Sequence, residues 1–197
     1  MKKIPSLFRR NGSILTSEFS SVAHWVVSGQ GIATRKWDGT AVRVTPDSRL
    51  WARYDAKRGK VPPSDFEACQ DPDPITGHRP GWVPAVRPED RWIREAAAGS
   101  LWQPGTYEAC GPRIGGNPER LDSHVLIRHG VELLHDVPRD YYDLRAYFGR
   151  NDVEGVVWWR NIDDPDCEKV KITGAALGVA RPYPRAETRD EEARGRP

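Results

Sequence analysis

The sequence predicts an α+β protein built on antiparallel sheet, and three observations carry that expectation. Apolar and polar residues alternate over short runs, above all in residues 39–45, where Ala41, Arg43 and Thr45 alternate against Val42 and Val44. Turn residues follow at hairpin spacing, as in Pro46-Asp47-Ser48. Helical periodicity is confined to residues 89–98 and 139–148.

In chain order, residues 4–31 mix polar residues with short apolar runs, and 22–27, the clearest, predicts a strand or short helix. Residues 33–36, 39–45 and 49–55 read as an antiparallel meander. Lys36 then lies just before the hairpin, and Arg53, Lys57 and Arg58 at its far end. Between 61 and 88, Pro62, Pro63, Pro72, Pro74, Pro80, Pro84 and Pro88 argue against any regular element. A long ordered loop or covering flap is expected there, anchored by Trp82 and Val83, with a lid over a bound nucleotide as the sharper alternative. The helix at 89–98 has acidic residues in its first turn and Gly99 as its stop. Strands are expected at 106–111, 124–128 and 131–135. The glycine- and proline-rich stretch 112–118 reads as a turn, because Gly115-Gly116 lack the lysine and hydroxyl residue that complete a phosphate loop. The helix at 139–148 should bury its aromatics, and strands at 153–160 and 168–173 close the series. The charged tail at 181–197 is expected to be disordered.

A chain of 197 residues suits a single domain over 1–180, followed by that tail. With 38% hydrophobic residues, 29% charged residues and a net charge of +2, the composition is that of a soluble globular protein and excludes a strongly basic nucleic-acid wrapper. Contact with a polyanion must come from local patches, for which 53–60 and the neighbourhood of Lys169 and Lys171 are the candidates. Cys69, Cys110 and Cys167 are odd in number and far apart, which points to free thiols in a reducing compartment and against a thiolate metal site. Residues 1–10 carry no apolar run of signal-peptide length, and no stretch is long and apolar enough for a membrane, so a cytoplasmic location is expected.

The chemistry centres on Lys36-Trp37-Asp38-Gly39. Lysine has an ordinary pKa of about 10.4 and attacks a phosphate only once it is deprotonated, by desolvation or by nearby cations. In a strand, Lys36 and Asp38 would share one face with Trp37 on the other, and Gly39 would let the chain pass close to a nucleotide. Three further patterns follow in order. Glu108 lies in an otherwise apolar strand, Glu154 opens a very apolar one, and Lys169 and Lys171 share a strand face opposite Val170 and Ile172. Nucleotidyl transfer to an amine needs these parts: cations for the developing charge, a metal on the triphosphate, and carboxylates for the metal and the ribose. Lys169 and Lys171 suit the first task, Glu154 an Mg2+ site through water, and Glu108 a ribose hydroxyl.

The ordered set resembles the covalent nucleotidyltransferase superfamily of polynucleotide ligases and capping enzymes. More closely, it resembles a compact ATP-dependent RNA ligase family with bacterial, viral and vertebrate members, and the likeness covers most of residues 31–173. The resemblance implies an antiparallel-sheet nucleotidyltransferase (ATP-grasp-like adenylation) domain with no C-terminal OB domain, since only a short stretch follows Lys171. It implies that Lys36 attacks the α-phosphate of ATP with Mg2+ (or Mn2+), that AMP passes to an RNA 5′-phosphate, and that a 3′-hydroxyl displaces it, in RNA repair. Asp38, Gly39, Glu108, Glu154, Lys169 and Lys171 are then nucleotide ligands, Glu154 also a metal ligand, and Arg53 and Lys57 the basic residues near the sugar. Residues 124–129 offer no clear aromatic for stacking the adenine, and that role stays unassigned. RNA rather than DNA rests on the resemblance alone. A DNA nick ligase, or a nucleotide-dependent RNA-end-binding module with little turnover, remains the alternative. No membrane and no obligate protein partner are implied.

Overall fold

The computed structural model describes residues 1–12 and 14–182. In chain order the first elements are β1 (Phe8–Asn11), β2 (Ile14–Phe19), the short helix α1 (His24–Val27) and β3 (Ile32–Lys36). Next come β4 (Thr40–Val44), β5 (Leu50–Ala56), β6 (Glu67–Ala68), β7 (Arg79–Pro84), α2 (Arg91–Ala97), β8 (Gly105–Cys110) and β9 (Val125–Arg128). The last are α3 (Tyr141–Arg150), β10 (Gly155–Trp159) and β11 (Lys169–Thr173). The class is α+β with antiparallel strand pairing throughout its sheets. Among the described residues, no helix is long and apolar enough to cross a membrane.

The described residues divide into two compact units, Met1–Trp37 with residues 128–182, and Asp38–Ile127. Each has its own core. In the first, a three-stranded sheet runs in the order β11-β10-β3, beside the β1-β2 hairpin. One face of this sheet presents Ala33, Val156, Trp158, Val170 and Ile172 to a core that also takes Leu7, Phe8, Trp25, Val26, and Leu144 and Phe148 from α3. Asp140 caps that helix, accepting from the backbone N–H groups of Tyr142 and Asp143, each at 3.0 Å. Of the helix aromatics expected in the core, Tyr142 is 75% exposed, since it lies on the face turned from Leu144 and Phe148.

Trp158 is the largest apolar group at the sheet centre, fully buried, and its Nε1 has no hydrogen-bond partner. Trp158→Ala should therefore cost about 3–5 kcal/mol in equilibrium urea unfolding. Trp158→Phe should cost clearly less, because the indole N–H it removes is already unsatisfied.

In the second unit six strands run β6-β7-β5-β4-β8-β9. Val42, Val44, Ala52, Val83, Tyr107 and Ala109 face a core closed by Ile93 and Ala96 of α2.

Three local expectations change. Strands β3 and β4 do not belong to one meander: β3 pairs with β10, and β4 pairs with β5 and β8. The proline-rich stretch 61–88 contains a regular strand, β7, paired with β5 over its whole length. The prolines fit because the Pro80 carbonyl accepts from Cys69 N at 2.9 Å, on the side away from β5. By strand alternation the nitrogens of Pro80 and Pro84 lie on that same side, so neither removes a bond from the β5 ladder. Residues 131–135 form an isolated bridge at Leu133 and no strand, although Arg35 N and Leu134 N bond across to Glu132 O and Ala33 O at 2.9 Å. Residues 24–27 take the helical alternative. Of the expected disordered tail, residues 183–197 lie outside the described residues, while Arg181 pairs with Asp152 at 2.9 Å.

Candidate active site

Opposite the apolar core, the β11-β10-β3 sheet carries a second face of different chemistry. Lys36 lies across from Gly155, Thr34 from Val157 and Ile32 from Trp159. On the other side of β10, Lys171 lies across from Val157 and Lys169 from Trp159. Period-2 alternation therefore places Lys36, Lys169 and Lys171 on one face, supplied by strands more than a hundred residues apart in sequence. Gly155 is the residue between Lys36 and Thr173, and a Cβ there would stand 2.4 Å from the Ile172 carbonyl oxygen. Lys36 and Lys171 are two strands across and two residues along from each other, which puts their Cα atoms about 12 Å apart, within joint reach of one phosphate for two long side chains.

Lys36 Nζ donates to Glu154 Oε2 at 2.5 Å and to the Trp37 carbonyl at 3.3 Å. The two side chains of this ion pair are 24% and 21% exposed. Lys171 is fastened through its backbone, its N–H donating to Pro5 O at 2.9 Å and its carbonyl accepting from Leu7 N at 2.8 Å.

Lys169 differs from its neighbour. Its ammonium stands 4.2 Å from the Trp159 ring centroid and donates to the carbonyls of Pro165 and Cys167. Burial lowers its pKa from the ordinary lysine value. It ties the turn at 161–168 to the sheet. Beneath it, Trp159 Nε1 donates to Thr34 Oγ1 at 3.0 Å, and that hydroxyl donates to Val157 O at 3.1 Å.

The other predicted residues lie in the second unit, whose first residue is Asp38. Strand alternation holds only to Lys36, since the chain has left β3 by Trp37. The need for glycine at Gly39 comes from β8: a Cβ would lie 2.2 Å from Ala109 O and 2.8 Å from Cys110 Sγ. Gly39 N donates to Glu108 Oε1 at 3.2 Å, and Glu108 is 8% exposed. Glu108 and Arg53 share the sheet face opposite the apolar core, with Ala41, Arg43, Trp51 and Trp82. The Arg53 guanidinium stands 5.4 Å from the Trp82 ring and Arg43 stands 4.7 Å from the Trp51 ring. Trp51 Nε1 on this face is buried without a hydrogen-bond partner. Lys57 is exposed just after β5.

Glu119 escapes sequence reasoning altogether. It is 8% exposed and accepts from the backbone N–H of Asp38 at 2.9 Å. It sits in an aperiodic turn, where no alternation marks a side chain as inward-facing.

As a metal ligand Glu154 stands without a prepared cluster, for among the described residues no three His, Cys, Asp or Glu side chains gather around a common point. Cys69, Cys110 and Cys167 form no disulfide with one another. No protein-family model matches the chain, and no curated protein sequence matches it.

Proposed function

We propose that the chain is an ATP-dependent RNA ligase with the nucleotidyltransferase fold of polynucleotide ligases, joining 5′-phosphate and 3′-hydroxyl RNA ends through a lysyl-AMP. The observation that carries this reading is the lysine-bearing sheet face, where Lys36 and Lys171 share one surface and Lys36 is paired to Glu154. A lone surface lysine has no such company. In the first step Lys36 gives up its ammonium proton to bulk water and the amine attacks the α-phosphate of ATP; a nitrogen–phosphorus bond forms as the bond from the α-phosphorus to the bridging oxygen breaks, pyrophosphate leaves with that oxygen, and the nitrogen's second proton goes to water. Lys171 offers fixed positive charge where the α-phosphate oxygens gain negative charge in the transition state. Glu154 would hold Mg2+ through water, and the ion would supply charge neutralisation on the triphosphate. Glu108, whose Oε1 accepts from Gly39 N–H, offers a carboxylate to a ribose hydroxyl. Arg53 offers a guanidinium near the sugar.

The deciding experiment incubates the protein with Mg2+ and α-labelled ATP or GTP, followed by a denaturing gel. ATP should label the chain covalently, and 5′-phosphorylated RNA should discharge the label as RNA-adenylate. Label from GTP alone would replace the reading with capping chemistry. No label from either would leave a nucleotide-binding module.

A further inference from the structure

Lys169 is held by groups that carry no charge, and the ring beneath it is itself held. The Lys169 ammonium donates to the Pro165 and Cys167 carbonyls and stands 4.2 Å from the Trp159 ring centroid. Asp164 and Asp166 of the same turn act on it only through space. Its charge therefore stays available to an anion on this sheet face, unlike that of Lys36, which is paired to Glu154 at 2.5 Å. Cation–π attraction strengthens as the pair is withdrawn from water, and Trp159 is buried.

Trp159 is fastened in turn. Its Nε1 donates to Thr34 Oγ1 at 3.0 Å, and Thr34 Oγ1 donates to the Val157 carbonyl at 3.1 Å. Chemistry sets the direction of this chain: an indole N–H only donates, so the threonine oxygen accepts it and gives its own single proton to the carbonyl. Thr34 is 1% exposed, and at that depth either bond left unmade costs the desolvation of its partner. Gly130 closes on the ring as well. A Cβ there would stand 3.2 Å from Trp159 Cζ2 and 3.3 Å from Ile162 Cδ1, and its φ of +84° is in the left-handed region that favours glycine. Strand register explains the reach, since Lys169 lies across from Trp159 on one side of β10 and Thr34 across from Val157 on the other. All of these residues belong to the first unit.

We infer that Thr34 and Trp159 are positioning residues for nucleotidyl transfer: the Thr34 hydroxyl holds the Trp159 indole, and the indole holds the Lys169 ammonium as a fixed cation for the phosphate. The inference rests on the reading of this lysine-bearing face as the seat of ATP. A cation already in place needs no reorganisation while charge develops. Thr34→Val keeps the shape of the side chain but leaves the indole N–H buried without its acceptor. Thr34→Ser keeps the hydroxyl and is the conservative variant.

The test combines single-turnover adenylation across ATP concentrations with proton NMR of Lys169, whose methylene next to the ammonium is shifted upfield by the ring current of Trp159. In Thr34→Val that resonance should move back toward the position of an ordinary lysine. Adenylation at saturating ATP should slow about tenfold to a hundredfold, with half-saturating ATP within about threefold of the parent. Thr34→Ser should stay within about threefold of the parent in rate and keep the upfield resonance. A Thr34 that served stability alone would lower the thermal midpoint without moving the lysine signal. Should Thr34→Val fail to fold, Thr34→Cys and Thr34→Ser decide, being close in size but different in acceptor strength. An unmoved resonance would overturn the inference, as would a moved resonance at an unchanged rate, or a rise in half-saturating ATP with no fall in rate. If the parent protein takes no label from ATP, the ligase reading fails. The inferred role in transfer then fails with it, whereas a moved resonance in Thr34→Val would still establish the hold on Lys169.

Discussion

Lys36→Ala should reduce covalent labelling by ATP to background, a loss of at least about a thousandfold, because the reaction has no second route once its nucleophile is gone. The Lys36–Glu154 pair is about three-quarters buried, and removing one partner of such a pair destabilises the fold. The thermal midpoint of Lys36→Ala should therefore fall, and that effect must be separated from loss of the nucleophile. Lys36→Arg is the sharper variant, since a guanidinium keeps a cation beside Glu154 but remains protonated and does not attack phosphorus. It should fold as the parent does, bind ATP without covalent attachment and take no label. Label persisting in either variant, located by peptide mapping on another amine, would remove Lys36 from the nucleophile's place. Lys169 would be the residue to examine next, because burial already lowers its pKa.

The sequence makes the lysine face legible because alternation along β11 sorts Lys169 and Lys171 from Val170 and Ile172 without knowledge of the partners. The same alternation in β3 sorts Thr34 and Lys36 from Ala33. What it does not supply is which strand lies beside which. Residues 33–45 read as one meander because nearness in sequence is the ordinary guide to pairing. Yet Lys36 ends a strand paired to β10, and the next strand joins a different sheet. Proline count misleads at β7 for a related reason: a proline is excluded from a ladder only when its nitrogen points at a neighbour. That direction depends on register, which composition does not carry. Glu119 is buried yet carries no mark in the sequence. It sits in a turn fastened by Asn117, and turns have no period from which an inward side chain can be read.

Replacing Lys171 with Ala should slow adenylation about a hundredfold while leaving the affinity for 5′-phosphorylated RNA within a few-fold, because fixed cations act where charge develops. The fold should tolerate the change. The bonds that fasten this position to Pro5 and Leu7 are backbone bonds, which alanine makes equally well. Lys169 lies on the same face. Its ammonium donates to the Pro165 and Cys167 carbonyls and stands over the Trp159 ring, so Lys169→Ala should loosen the turn at 161–168. That would appear as faster hydrogen exchange in the turn, which Lys171→Ala should not show. The pair of variants therefore separates two ways in which a lysine on this face can matter. A loss of rate in Lys171→Ala without faster exchange marks electrostatic stabilisation of the phosphate. Equal losses of RNA affinity and adenylation rate would instead make Lys171 a general phosphate clamp.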